Sequence, residues 1–102
     1  MSILVTETRE ARARQVQVTE DALTVDLDDG RTISVPLGWY PRLMHASPNE
    51  RGNWRLIGKG EGIHWPEVDE DISVGNLLSA KRSGESQQSL KKWLDGRASK
   101  TK

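Results

Sequence analysis

Between residues 15 and 36 apolar and polar positions alternate with a period of two. Val16 and Val18 alternate with Gln15 and Gln17, Leu23, Val25 and Leu27 with Thr24 and Asp26, and Ile33 and Val35 flank Ser34. That period puts each apolar set on one face of a pleated strand. Thr19-Glu20-Asp21 supplies turn chemistry after the first run, and Asp28-Asp29-Gly30 follows the second. Asp-Gly between alternating runs predicts a hairpin in which glycine takes the positive φ of a type I′ turn. The pattern therefore predicts three antiparallel strands, over 15–19, 22–28 and 31–36. Val16, Val18, Leu23, Val25, Leu27, Ile33 and Val35 form its buried face.

Pro36 ends the third strand, because proline has no N–H to give a ladder. Trp39 to Ala46 reads as a short helix with Pro41 in its first turn, where proline is tolerated. Ser47-Pro48-Asn49-Glu50 starts another, with Ser47 as N-cap and Glu50 placed to close a capping box; Gly52 stops it. Trp54, Leu56 and Ile57 read as a short strand. Gly58, Gly60 and Gly62 form a flexible connection to a second, Ile63-His64-Trp65, ended by Pro66. Asp69-Glu70-Asp71-Ile72-Ser73 reads as the entry turn into a helix over 74–79, with Ser73 as its N-cap and the acids just ahead favouring the positive end of the dipole. After Ala80 a polar linker leads to a last helix capped by Ser86, with Leu90, Trp93 and Leu94 on one face, Gly96 at its end and a frayed ASKTK terminus. Residues 1–12 carry mixed signals: Ile3 and Val5 suit a strand, ETREARARQ a helix or loose arm. The expected fold class is α+β: a small antiparallel sheet, a three-stranded meander plus short strands, with short helices packed on it. The expected organisation is an N-terminal arm or extra strand over 1–12, a single domain over 13–80, and a polar linker with a basic helix over 81–102.

A chain of 102 residues has room for one core. The absence of cysteine removes disulfides, thiolate metal sites and cysteine nucleophiles. No run approaches the roughly 20 apolar residues of a membrane helix, and MSILVTETRE lacks the basic and apolar regions of a secretory signal. These features lead us to expect a soluble, cytoplasmic protein. Fifteen bases balance fifteen acids, but unevenly: residues 61–80 hold five acids and no base, whereas 81–102 hold seven bases and two acids. Overall neutrality argues against a dedicated nucleic-acid binder. The basic C-terminal segment keeps nucleic acid as an alternative partner.

Candidate chemistry is sparse. GKGEG lacks the spacing of a phosphate-binding loop, and Glu61 would repel a phosphate. His64, Asp69 and Asp71 are a chemically sensible hard-metal set, yet no further ligand sits at a fixed helical offset. His45 has the intrinsic pKa of a general base but no nucleophile placed beside it. We therefore expect neither metal nor cofactor, and no enzyme. The aromatic set is unusual: four Trp, one Tyr and no Phe. Trp39, Trp54 and Trp65 share one stretch with Arg42, Arg51 and Arg55, the residue types that concentrate energy at protein interfaces and also serve as core and cation–π pairs.

Asp29-Gly30-Arg31, Pro36-Leu37 with Trp39-Tyr40-Pro41-Arg42-Leu43, Asn53-Trp54, Gly62-Ile63-His64-Trp65-Pro66 and Asp69-Glu70-Asp71-Ile72-Ser73 together resemble a small bacterial family, domain of unknown function 2442, over residues 28–78. The resemblance implies a small α+β domain with a regulatory or partner-binding role. Relatives are often encoded beside another small protein, as a proposed toxin–antitoxin pair with this family as antitoxin. Some carry a helix-turn-helix, for which the single helix of 81–102 is too little. The resemblance carries over no catalytic residue. Combined with the charge pattern, it leads us to expect a partner-binding patch of Trp39, Tyr40, Arg42, His64, Trp65, Asp69 and Asp71, facing a small basic, toxin-like protein.

Overall fold

The computed structural model describes residues 11–100, with side chains from Ala11 to Arg97; the sequence expectations for residues 1–10 and for the last residues of the ASKTK terminus lie outside that range. Strands β1 (Ala13–Val18), β2 (Ala22–Leu27) and β3 (Thr32–Pro36) form the expected antiparallel meander. Leu23, Val25, Leu27 and Val35 are buried on its inner face. Thr24–Ser34 and Thr32–Asp26 side-chain hydrogen bonds tie its outer one. In β1 the pairing shifts between Ala13 and Gln15, a bulge that lets Ala13 and Val16, three residues apart, share the buried face.

The β2–β3 turn departs from the expected type. Leu27 N–H bonds Arg31 C=O, and Gly30 N–H bonds Leu27 C=O. Gly30 has φ +96°, while Asp29 is not in the left-handed region. A type I′ turn needs positive φ at both central residues, so this is a three-residue loop in which only glycine adopts it.

Past Pro36 come a 3-10 turn (Leu37–Trp39), helix α1 (Pro41–Met44) and helix α2 (Pro48–Gly52). Pro41 begins α1, and Ser47 and Glu50 close the capping box on α2. A second meander then forms: β4 (Arg55–Ile57), a 3-10 turn at Gly58–Gly60, β5 (Gly62–Trp65) and β6 (Glu70–Ser73). The supposed flexible glycine connection is a fixed turn with Gly60 at φ +96°, so close to β1 that a Cβ there would lie 2.6 Å from the Ala13 carbonyl oxygen. This close approach joins the two sheets. The acidic segment is also corrected: Glu70 to Ser73 pair with β5 as a strand, because Glu70 and Ile72 alternate inward against Asp71 and Ser73. Helix α3 (Val74–Leu78) starts one residue after that strand, and Ser73 accepts the Asn76 N–H as its cap.

Both sheets and the short helices close on one core of Leu23, Val25, Leu27, Leu37, Leu43, Ile63, Trp65, Val68, Val74 and their neighbours. The chain leaves α3 through Ala80, at φ +58°, where Lys81 N–H bonds Asn76 C=O and Ala80 N–H bonds Leu77 C=O. This is a helix stop that usually employs glycine. Residues 81–86 form a strap without regular secondary structure, and α4 (Gln87–Lys100) follows, with Ser86 accepting the Ser89 N–H. The helix runs through Gly96 rather than ending there.

Candidate partner-binding site

Arg42 brings together the two segments expected to form the patch. Its Nη1 donates to the carbonyls of Val68 (3.3 Å) and Asp69 (3.4 Å), so the α1 arginine braces the loop that leads into β6. It is not a free surface cation. Its Nε and Nη2 each donate to Glu85 at 2.8 Å, its guanidinium lies 5.0 Å from the Trp93 ring centre, and its side chain is 18% exposed. The paired geometry raises the Arg42 pKa further, chiefly through the Glu85 hydrogen bond, and that same bond holds Glu85 below the usual carboxylate range.

Two expected contact residues are interior. Trp65 is fully buried, its indole N–H donating to Arg51 C=O at 3.0 Å. Tyr40 is also buried, and its hydroxyl donates to Lys81 C=O at 3.0 Å. Both lie among core side chains, so neither offers a ring to a partner in this fold. Trp39 is half-buried, with the Arg82 guanidinium 4.8 Å from its ring centre.

What remains at the surface is acidic. Asp69, at φ +52°, bends the chain into β6 with its carboxylate 85% exposed; Asp71 is 66% exposed. Across the β5–β6 ladder His64 faces Asp71, and Nδ1 and the carboxylate oxygen approach to 2.5 Å. Asp69 points instead toward Arg42 at 3.8 Å. The supposed metal set is thus split, and among the described residues no three His, Asp or Glu are placed to hold an ion. His45 stands exposed at the end of α1.

The sequence did not single out Glu70. Its side chain turns toward a cleft of about 140 Å³ between β6 and the strap, lined also by Tyr40, Asp71, Asn76, Lys81 and Arg82. Burial pushes its carboxyl up to about 7; Arg42 opposes this, and Glu85, Asp71 and Asp69 add to it. The period-two pattern of Glu70 with Ile72 was the available signal. Glu85 had none, since nothing local links it to an arginine 43 residues earlier.

Two small meanders on a shared core, with an acidic edge, define a small α+β protein. A family model described as "Protein of unknown function (DUF2442)" matches residues 13–83, and the chain belongs to that family. A crystal structure of a protein of unknown function from Rhodospirillum rubrum is similar at 26% identity and a TM-score of 0.67, covering 78% of this chain and 98% of that one. The solution structure of an uncharacterized protein from Chromobacterium violaceum shares the fold at 21% identity and a TM-score of 0.63, covering 80% and 75%. Among curated proteins no relative matches. No helix among the described residues is long and apolar enough to cross a membrane.

Proposed function

We propose that this protein is a regulatory binding module, antitoxin-like, that engages a small basic protein through the acidic edge formed by Asp69 and Asp71, with no catalytic step of its own. The observation carrying this reading is that Asp69 and Asp71 stand exposed on a segment without a base of its own, while Arg42 is committed to Glu85. Such an edge attracts a basic surface over several ångströms and speeds its encounter. The family resemblance supplies the antitoxin element. The nucleic-acid alternative has less support, because Arg82 and Arg97 are engaged internally, with Trp39 and with Glu50 and Trp93 respectively.

The test is recovery of the partner by the tagged full chain from its native cells, compared with an Asp69→Asn/Asp71→Asn variant. We expect a partner rich in Lys and Arg whose retention falls at least tenfold in the variant and weakens with salt, at an unchanged melting temperature. Full retention by the variant would overturn the reading. Salt-sensitive retention of nucleic acid, lost when Lys91 and Lys92 are replaced, would favour the alternative.

A further inference from the structure

The phase of the β5–β6 ladder exposes a feature that the side chains alone do not reveal. Val74 N–H donates to Glu61 C=O at 2.9 Å, and those residues continue the register that pairs Gly62 with Ser73, Ile63 with Ile72, His64 with Asp71 and Trp65 with Glu70. In an antiparallel ladder, hydrogen-bonded and non-hydrogen-bonded pairs alternate. The bonded pairs are therefore Glu61–Val74, Ile63–Ile72 and Trp65–Glu70, and His64–Asp71 is a non-bonded pair. The close side-chain approach of His64 and Asp71 agrees, since side chains are nearest in such pairs.

The consequence lies on the other side of the strand. β6 is an edge strand, and the N–H and C=O of Asp71 point away from β5. Neither group has a hydrogen-bond partner among the described residues. The strap does not pair with this edge, but through Lys81, Arg82, Ser83 and Gly84 it walls the 140 Å³ cleft beside it, so an added strand requires the strap to swing aside. An unpaired edge is a template for another strand.

The side chains decide which strand it takes. A second copy of β6 laid alongside would bring Glu70 and Asp71 against their own kind, and directly opposed like charges destabilise a pair. A segment bearing Lys or Arg would meet Asp69 and Asp71, both more than half exposed. Of the bases near the cleft, Arg42 is paired with Glu85 and Arg82 lies over Trp39, while Lys81, exposed on the strap side, is a cation that an incoming basic segment must pass. We propose that the outer edge of β6 is a strand-addition site for an extended Lys/Arg-bearing segment of the partner, Asp71 contributing the main-chain pair and Asp69 and Asp71 the charge contacts. This rests on the binding reading above and specifies how the acidic edge is used.

The test uses the full-length protein and three synthetic peptides: alternating Lys-Val of seven residues, the same peptide methylated at every main-chain nitrogen, and an alternating Glu-Val control. We expect the Lys peptide to bind, main-chain methylation to weaken it at least tenfold, and the Glu peptide not to bind. The Asp71 amide should exchange with solvent at least tenfold more slowly in the complex. Asp71→Asn should weaken the Lys peptide while melting as the parent does. Equal binding of the methylated peptide, or an unchanged Asp71 amide, would overturn strand addition while leaving an acidic patch that works by charge alone. Failure of the Lys peptide to bind would overturn the proposal, whereas partner recovery by the Asp69→Asn/Asp71→Asn variant decides the broader reading separately.

Discussion

The body and the C-terminal strap-and-helix are held by different physics. In the body, Leu23, Val25, Leu43, Ile63, Trp65 and Val68 are sealed from solvent in one cluster. The segment beyond residue 80 is held mainly by directional polar contacts. Arg42 grips Glu85, and Arg97 donates twice to Glu50, at 2.8 and 3.1 Å. Ser83 N–H bonds Trp39 C=O, and Trp93 lies beneath the guanidinium groups of Arg42 and Arg97. Apolar burial scales with area and is indifferent to pH, whereas charged forks depend on geometry and ionisation. A sequence that looks like a solvated tail can therefore be fastened chiefly by charged forks, with Trp93 adding an apolar contact to the core.

The largest perturbation should break both regions at once. Trp65→Ala removes a fully buried indole and leaves Arg51 C=O without its donor, so a loss of about 3–5 kcal/mol is expected in denaturant unfolding. The helix should melt with the body, because its anchors, Arg42 and Glu50, sit on α1 and α2.

A cut at the fastening should separate the regions. Glu85→Ala is expected to speed amide exchange along α4 while β2 and β5 keep their protection. A double-mutant cycle with Arg42→Ala should return a coupling of about 1–2 kcal/mol. Because Glu85 is held below its ordinary pKa, its contribution is present above about pH 4.5 and is lost as pH falls through the folded value. Identical exchange along α4 in Glu85→Ala would show that the fork does not hold the segment.

Glu70 sharpens the contrast in the opposite pH direction. Its folded pKa, about 7, is raised from 4.5, so the stability linked to its protonation is complete below about 4.5 and lost as pH rises through 7. Glu70→Gln should flatten that slope and leave the variant about 1–2 kcal/mol more stable than the parent at pH 8, after allowing for solvent that reaches the partly exposed group. An unchanged slope between pH 4.5 and 7 would remove the case for a desolvated carboxyl.

The smallest change should tighten the junction between the regions. Ala80 pays for a left-handed conformation that glycine adopts freely, and Ala80→Gly is expected to raise stability by about 0.5–1 kcal/mol in thermal unfolding. A decrease would mean that the helix stop is set by the strap rather than by local backbone preference.

How far the sequence could be read follows the same division. The first meander was legible because its signals are local: alternation at Leu23, Val25 and Leu27, Gly30 at the turn, and Ser47 with Glu50 three residues on. The acidic strand reads as a helix-entry turn because its inward positions hold one glutamate and one isoleucine, and the capping serine that ends it is a strong helix signal. Ser73 was still placed correctly as the cap. The binding residues fared least well. Whether Trp65 or Tyr40 is anchor or core depends on which face of β5 or which side of α1 meets the other sheet, a tertiary fact without a local pattern. The reach of Arg42 to Glu85 is of the same kind.

The Arg42 fork also has a bearing on the order of folding. It joins residues 43 positions apart, and its second hand rests on the carbonyls of Val68 and Asp69, which are in place only once β5 and β6 have paired. Closing so long a loop early would cost chain entropy with nothing yet to grip. The strap and α4 should therefore dock after the rate-limiting step: substitutions at Glu85 or Arg97 should leave the refolding rate nearly unchanged and accelerate unfolding.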